Sequence, residues 1–216
     1  MIEVSDIAAA LIERTGSLST FQLMKLTYYV QAWHATIYGE PLFESRIEAW
    51  ANGPVSPALW RQYKRMNVVS KAYSGDPSKV TGPASLLVDL VISHYGHLNG
   101  DELSAISYSE KPWKDVWGDR PLTSRGNDVI PVESMVSFYL DKTLSGHSPI
   151  ELLTVGVNPP VHDDDAATGA ISHLFENQRD SKSDEADLED YVKFESGLDL
   201  DSYFGLKVSS PSALTN

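Results

Sequence analysis

The sequence predicts a mainly α-helical protein, in which a compact multi-helix domain over residues 1–145 is followed by an acidic extension over residues 146–216. Three observations favour this fold class. Apolar residues recur at three- and four-residue spacing along the first region, several of these segments begin and end with helix-capping residues, and the charge changes after residue 145. In a short segment near residues 46–50, apolar and polar residues alternate instead, which predicts an extended or β conformation.

The clearest helix start lies at residues 19–22, where Ser-Thr-Phe-Gln has the sequence of a capping box. A shorter helix is expected before it, over residues 7–15, with Asp6 as its cap. The long helix after the capping box carries two neighbouring apolar stripes, so we expect it to be buried between other elements. Gly39 and Pro41 are expected to end this helix, because glycine adopts the left-handed conformation easily and proline cannot continue a helix.

Further helices are predicted downstream, with a turn and a loop between them. Their expected starts are Ser56-Pro57, Ala84, the region of Asp101, Pro112 and Pro131. Asn52-Gly53-Pro54 predicts a turn, and residues 70–83 are expected to form a loop.

Composition excludes several classes of protein. The chain has no cysteine, which excludes a disulfide scaffold, a thiolate zinc site and a cysteine nucleophile. No apolar stretch approaches the roughly 20 residues that span a bilayer, and the first residues lack the pattern of a secretory signal. We therefore expect a cytoplasmic protein that makes no use of a membrane.

The charge is strongly negative and unevenly distributed. Residues 1–145 hold 13 basic and 16 acidic side chains, whereas residues 146–216 hold 4 and 14, and the whole chain carries −13. With this charge we do not expect the chain to bind nucleic acid, because phosphate contacts need clustered Lys and Arg. The charge favours a protein partner with a basic surface.

Two amphipathic segments interrupt the acidic extension, over residues 166–175 and 184–195. Each is too short to form a stable helix alone, so we expect it to pack on the domain or on a partner. In the second segment, Leu188, Tyr191 and Phe194 are the candidates for contact with a partner.

A set of residue types at fixed offsets resembles a known family. The set comprises Leu23, Lys25, Leu26, Tyr28-Tyr29, Gln31, Trp33-His34, Gly39, Pro41-Leu42-Phe43, Ile47-Glu48-Ala49-Trp50, Gly53-Pro54-Val55, Pro57, Leu59-Trp60, Tyr95-Gly96, Glu102-Leu103-Ser104 and Pro112-Trp113, followed by the helix after Pro131. In these positions the chain is similar to the Panacea-domain antitoxins, also called SocA-like or GepA-type phage-associated proteins. The resemblance covers residues 4–144 and does not include the acidic extension.

This resemblance implies the antitoxin of a toxin–antitoxin system, of the kind found in prophages and in phage defence. Such an antitoxin neutralises a protein toxin encoded beside it by binding the toxin directly. Some relatives instead act as adaptors that deliver the toxin to a protease, and this alternative stays open. The family is not known for catalysis, so the resemblance implies neither an enzyme nor a cofactor. A homo-oligomer, or a heterotetramer with the toxin, is compatible with it.

The candidate toxin-binding residues of the domain are Tyr29, Trp50, Asn52, Trp60 and Arg61. Tyrosine, tryptophan and arginine dominate binding energy at protein interfaces. The same aromatic residues are equally compatible with a hydrophobic core. In the long helix we expect Trp33 to be buried and Tyr29 to lie nearer the rim.

His34 offers a competing interpretation, as a general base oriented by Glu44 or Glu48. No nucleophile stands in a recognisable motif, so we predict no catalytic residue and interpret His34 as a hydrogen-bonded structural histidine. We also predict no metal site, although the spacing of His94, His97 and Asp101 occurs in metal sites, as does that of His162 and residues 163–165. The basic cluster of Arg61, Lys64, Arg65 and Lys71 is interpreted as a solvated helix face.

Overall fold

A computed structural model describes residues 1–154 of the chain. Its helices are α1 (Val4–Thr15), α2 (Thr20–Tyr38), α3 (Pro57–Tyr63), α4 (Gly82–Tyr95), α5 (Gly100–Ser109), α6 (Lys111–Trp117), α7 (Val132–Tyr139) and α8 (Pro149–Thr154), with one 3₁₀ turn at Pro77–Lys79. Its strands are β1 (Leu18–Ser19), β2 (Glu48–Trp50), β3 (Gly53–Val55), β4 (Val68–Val69) and β5 (Asp128–Val129). The predicted mainly helical fold is confirmed. The amphipathic segments expected at 166–175 and 184–195 lie outside the described residues.

Helix α2 is the centre of the fold, and α1, α4, α5, α7 and α8 all pack against it. Its start is as predicted: the Ser19 side chain accepts a hydrogen bond from the Gln22 backbone N–H, and the Gln22 side chain accepts one from the Ser19 backbone N–H. Gly39 ends the helix in the left-handed conformation with φ of 76°. Every residue from Leu23 to Ile37 is buried, as the double apolar stripe predicts.

Helix α1 starts earlier than predicted, and its cap is a different residue. Glu3 occupies the N-cap position and Asp6 lies three residues inside, where its carboxylate accepts a hydrogen bond from the Glu3 backbone N–H at 2.9 Å. The same carboxylate accepts a hydrogen bond from the Asp76 backbone N–H at 2.7 Å and pairs with Lys79. Asp6 therefore joins α1 to the distant 3₁₀ turn, a contact that local sequence spacing does not contain.

Two small antiparallel sheets border the helices. Strands β2 and β3 form a hairpin in which Trp50 pairs with Gly53, and β5 adds to the other edge of β2, with Glu48 opposite Val129. Strands β1 and β4 form the second sheet. The extended segment near 46–50 is thus a strand, but β2 is buried on both faces rather than alternately. Strands β3 and β5 lie in the plane of the sheet, whereas packing of α6 on β2 and of the Trp60 ring on Trp50 helps to bury β2.

The later helix starts follow the predicted signals closely. Ser56 caps α3 with Pro57 in the first turn, and Asn99 caps α5 by accepting hydrogen bonds from the backbone N–H groups of Asp101 and Glu102. Helix α7 begins directly after Pro131. Helix α8 follows the last predicted helix and lies on α2, with Leu152 buried. Packing on α2 therefore continues beyond residue 146.

Within residues 1–154, no helix combines the length and the apolar character that crossing a membrane requires.

Candidate functional site

A cleft of about 850 Å³ opens where the end of α4, the junction of α5 and α6, and the end of α7 meet. Its walls are aromatic and its polar groups include a carboxylate, two imidazoles and an ammonium group. The residues that matter most to its chemistry are Trp33, His94, Tyr95, His97, Glu110, Phe138, Tyr139 and Lys142. Because aromatic walls with a few converging polar groups are typical of binding sites, this cleft is the candidate functional site within the described part of the chain.

Helix ends bring these side chains together. Tyr95 is the last residue of α4, Tyr139 is the last residue of α7, and Glu110 is the N-cap of α6 in an extended conformation between two helices. Trp33 comes from the middle of α2, where it forms the floor. Since the three helices pack around α2 or each other, their ends converge on one place.

Glu110 is the central charged group of the cleft. Its Oε2 accepts a hydrogen bond from Tyr139 Oη at 2.5 Å, and Tyr139 Oη lies 3.3 Å from Tyr28 Oη. Burial raises the pKa of Glu110 to about 7, against the opposing effects of the Tyr139 hydrogen bond and the charge of Lys142. At neutral pH this carboxyl group is therefore poised between its neutral and ionised forms.

A group of tyrosines surrounds this carboxyl. The ring of Tyr29 stacks on that of Tyr95 with centroids 3.9 Å apart, and Trp33 Nε1 donates a hydrogen bond to Tyr95 Oη at 3.3 Å. Burial raises the pKa values of Tyr28, Tyr29 and Tyr139 well above their ordinary range, so these hydroxyl groups keep their protons. They act on Glu110 as neutral dipoles rather than as charges.

The Tyr29 hydroxyl differs from the others. It is the only fully enclosed side-chain oxygen or nitrogen atom among residues 1–154 that has no hydrogen-bond partner. It lies near enough to Glu110 to influence the pKa of that carboxyl, but it forms no hydrogen bond of normal geometry with it. A buried hydroxyl without a partner is costly, and such groups are rare in folded proteins.

The two histidines of the cleft are unequal. Burial lowers the pKa of His94, helped by the nearby His97, so His94 is neutral at pH 7. Its Nδ1 accepts a hydrogen bond from the Ser145 backbone N–H at 3.0 Å, which ties α4 to the loop after α7. His97 is exposed at the rim. Across the described chain, no three metal-binding side chains are grouped to hold an ion, and His162 with residues 163–165 lies outside it.

Three of the predicted toxin-binding aromatics are buried. Tyr29 and Trp60 have no exposed surface and Trp50 is 1% exposed. The expectation that Tyr29 lies near the rim is wrong, because α4 and α7 cover the side of α2 that carries it. Trp50 donates a hydrogen bond to Glu48 and packs edge-on against Trp60, so both indole rings belong to the core. Trp33 is buried, as expected.

The remaining predicted site residues lie elsewhere. Asn52 is half-buried in the turn between β2 and β3, and Arg61 is exposed on α3. Neither lines the cleft. Leu188, Tyr191 and Phe194 lie outside the described residues. The basic cluster is largely solvated, since Arg65 and Lys71 are exposed together with Arg61.

His34 is placed as a structural residue. Its Nδ1 donates a hydrogen bond to the Glu40 carbonyl oxygen at 2.9 Å, just beyond the end of α2. Burial lowers its pKa despite this bond. Glu48, one of the two proposed orienting carboxylates, instead accepts hydrogen bonds from Arg46 and Trp50. His34 thus secures the C-terminal end of α2.

Sequence reasoning did not single out Glu110 or Lys142 as site residues. The local signal at Glu110 is that of a helix N-cap before Pro112, which predicts a surface carboxylate. Its enclosure comes from Tyr139, 29 residues later, whose apolar stripe predicts only a core position. The site is thus assembled by long-range packing.

The fold is a small, mainly helical domain built around one enclosed helix, with an aromatic cleft at the ends of α4 and α7. Residues 23–114, from the first turn of α2 into α6, match the family described as antitoxin SocA-like, Panacea domain. Over these residues the chain is therefore similar to the Panacea domain of the SocA-like antitoxin family. Neither the curated proteins nor the solved structures contain a significant match to the chain.

Proposed function

We propose that this protein is an antitoxin that neutralises a protein toxin by binding it directly. The observation that carries the proposal is the match of residues 23–114 to the SocA-like antitoxin domain. The matched segment contains nearly all of the buried helix α2 together with α4 and α5, two of the helices packed on it, so the resemblance includes the central helix of the fold. An antitoxin of this kind needs a surface and no catalytic group.

The packing around α2 supports direct binding. Helix α2 contacts six other helices and has a cap at each end, and a surface supported by such packing should lose little entropy on binding. Since Tyr29, Trp50 and Trp60 are enclosed, the proposal no longer uses them as contacts. It retains Asn52 and Arg61 on the domain surface.

Charge supports a basic partner. The chain carries −13, and its last 71 residues carry 4 basic and 14 acidic side chains. In the proposal this segment adds contacts through Leu188, Tyr191 and Phe194 and covers a basic surface of the toxin.

The test is co-expression with a toxic protein encoded next to this chain. Direct neutralisation predicts that growth is restored, that the two proteins co-purify as a complex of defined mass, and that the toxin persists in the cell. Restored growth with a shortened toxin half-life would instead indicate an adaptor that delivers the toxin to a protease. The absence of any growth rescue would contradict the proposal.

The contribution of the acidic segment needs a separate arm. A fragment of residues 1–154 is preferable to one ending at 146, because it keeps α8 and its buried Leu152. The proposal predicts that this fragment binds the toxin more weakly than the full chain does. Equal affinity of the fragment and the full chain would show that the acidic segment is not part of the interface. It would not contradict neutralisation by the domain.

A further inference from the structure

We propose that the cleft beside Glu110 receives a basic side chain, a guanidinium or an alkylammonium group, from the protein that this chain binds. The inference rests on the proposed function, because the partner is the toxin. It adds the place of contact and the chemistry of the contacting group, which the family match does not supply.

The Glu110 carboxylate has an unused acceptor position. Its Oε2 accepts the hydrogen bond from Tyr139, whereas Oε1 accepts no hydrogen bond of normal geometry from the described residues. Within residues 1–154 no Lys or Arg forms an ion pair with this carboxylate, and Lys142 acts on it only from a greater distance. A partly buried carboxylate without a paired cation is unfavourable, and a cation entering the cleft would relieve that cost.

The aromatic walls favour a cation over a neutral group. Trp33, Tyr95, Phe138 and Tyr139 line the cleft, and the faces of such rings attract positive charge. The chain itself provides an example of this contact, because the Lys142 ammonium lies 5.0 Å from the centroid of the Phe138 ring. A longer or better placed basic side chain would combine a ring contact with the carboxylate.

The unpaired hydroxyl of Tyr29 is an independent observation at the same place. It is buried next to the Glu110 carboxyl and has a proton to donate. An ionised Glu110 that binds a cation offers this hydroxyl an acceptor after a small movement. The arrangement around Glu110 is therefore suited to its charged form, which the isolated domain does not fully stabilise.

An anionic ligand fits the cleft less well. His94 is neutral, since burial lowers its pKa and its Nδ1 accepts a hydrogen bond. The exposed Lys142 is the only permanently positive side chain among the lining residues, and the enclosed charged group is the carboxylate. An anion would have to approach Glu110 against its charge.

A side chain carried by a protein fits better than a small free cation. The volume of about 850 Å³ is much larger than a guanidinium group, so a free cation would leave most of the cleft unfilled. Exposed rim residues, among them His97 and Lys142, lie where a partner's backbone would pass. The charge of −13 on the whole chain draws a basic partner to it.

The first arm of the test uses Nα-acetyl-arginine amide as the probe and Nα-acetyl-citrulline amide as its neutral counterpart. Both are titrated into the full chain at pH 8, where Glu110 is mostly ionised, while NMR follows the indole N–H of Trp33. The expected result is a saturable shift with the arginine probe only. Glu110→Gln should weaken this binding at least tenfold, whereas Glu133→Gln, at a partly buried carboxylate outside the cleft, should not. Equal response to both probes, or no response, would overturn the inference.

The second arm uses the toxin. Glu110→Gln is expected to weaken the complex at least tenfold, while Glu133→Gln leaves it unchanged, with the fold of both variants verified by circular dichroism. If the wild-type chain itself fails to neutralise, the proposed function is wrong. If the wild-type chain neutralises and Glu110→Gln does so equally well, only the inference is wrong. In that case, binding of the arginine probe in the first arm would indicate that the cleft binds a small free cation rather than a side chain of the toxin.

Discussion

Asp6 and Glu110 are both acidic side chains placed inside the fold, and their surroundings shift their pKa values in opposite directions. Burial would raise the pKa of Asp6, but the backbone N–H groups of Glu3 and Asp76 and the charge of Lys79 together lower it. For Glu110 burial prevails and the pKa rises to about 7. The number of fixed donors around each carboxylate decides the direction of its pKa shift.

Glu110 makes stability depend on pH. Because its folded-state pKa of about 7 exceeds the ordinary 4.5, folding favours the protonated form, and that stabilisation is lost as the pH rises from about 4.5 through 7. Glu110→Gln keeps a neutral group at every pH. We expect this variant to match the wild type at pH 4, below both pKa values, and to exceed it by about 3 kcal/mol at pH 8 in urea unfolding.

The comparison is made between the two proteins at each pH, since the titration of His34 and His94 contributes equally to both. A constant difference between pH 4 and pH 8 would contradict the prediction.

Asp6 makes the opposite contribution. Asp6→Asn removes a carboxylate that accepts two backbone hydrogen bonds and pairs with Lys79, so we expect the free energy of unfolding at pH 7 to fall by about 2 kcal/mol. The pKa of Asp6 is lowered from 3.8, so the difference should shrink as the pH falls below that value. Glu13→Gln on the exposed face of the same helix is the control. An equal fall in the free energy of unfolding of this variant would contradict the prediction for Asp6.

At the scale of elements, the sequence predicted what neighbouring residues determine. The start of α2 at Ser19 and its end at Gly39 depend on side chains and φ angles within a few residues, and both were predicted correctly. The pairing of β5 with β2 joins residues about 80 positions apart. Strand β5 has only two residues, which is too short for a local sequence pattern to predict it. The cleft was missed for the same reason, because it lies between helix ends rather than on one helix.

Helix α8 provides a test of packing on α2. Leu152 is 4% exposed, whereas Ile150 in the same helix is 72% exposed. Leu152→Ala should lower the free energy of unfolding by about 2–4 kcal/mol, because it leaves a cavity in the core. Ile150→Ala should change it by less than about 0.5 kcal/mol. Similar effects of the two substitutions in urea unfolding would show that α8 does not pack as described.

For the whole molecule, charge is the property that the sequence conveys best. A net charge of −13 creates a long-range field that steers a basic partner toward the surface. The net charge does not determine where a partner docks, since docking depends on which groups the fold leaves exposed. The sequence therefore supports the expectation of a basic partner, which stays a prediction, but it does not show that Tyr29, Trp50 and Trp60 are buried.

Steering leads to a prediction about rates. Raising the salt concentration from about 0.05 M to about 0.5 M should lower the association rate of the chain with its toxin about tenfold, because it shortens the screening length. The dissociation rate should change much less, since contacts inside the interface are poorly screened. Stopped-flow mixing measures both rates, and an association rate independent of salt would rule out long-range steering by the acidic chain.

The central position of α2 also constrains the order of events during synthesis. Helices α7 and α8 cover α2, so its apolar surface stays incompletely covered until about residue 154 has emerged from the ribosome. Until these two helices pack on it, α2 exposes apolar surface that can cause aggregation of the nascent chain.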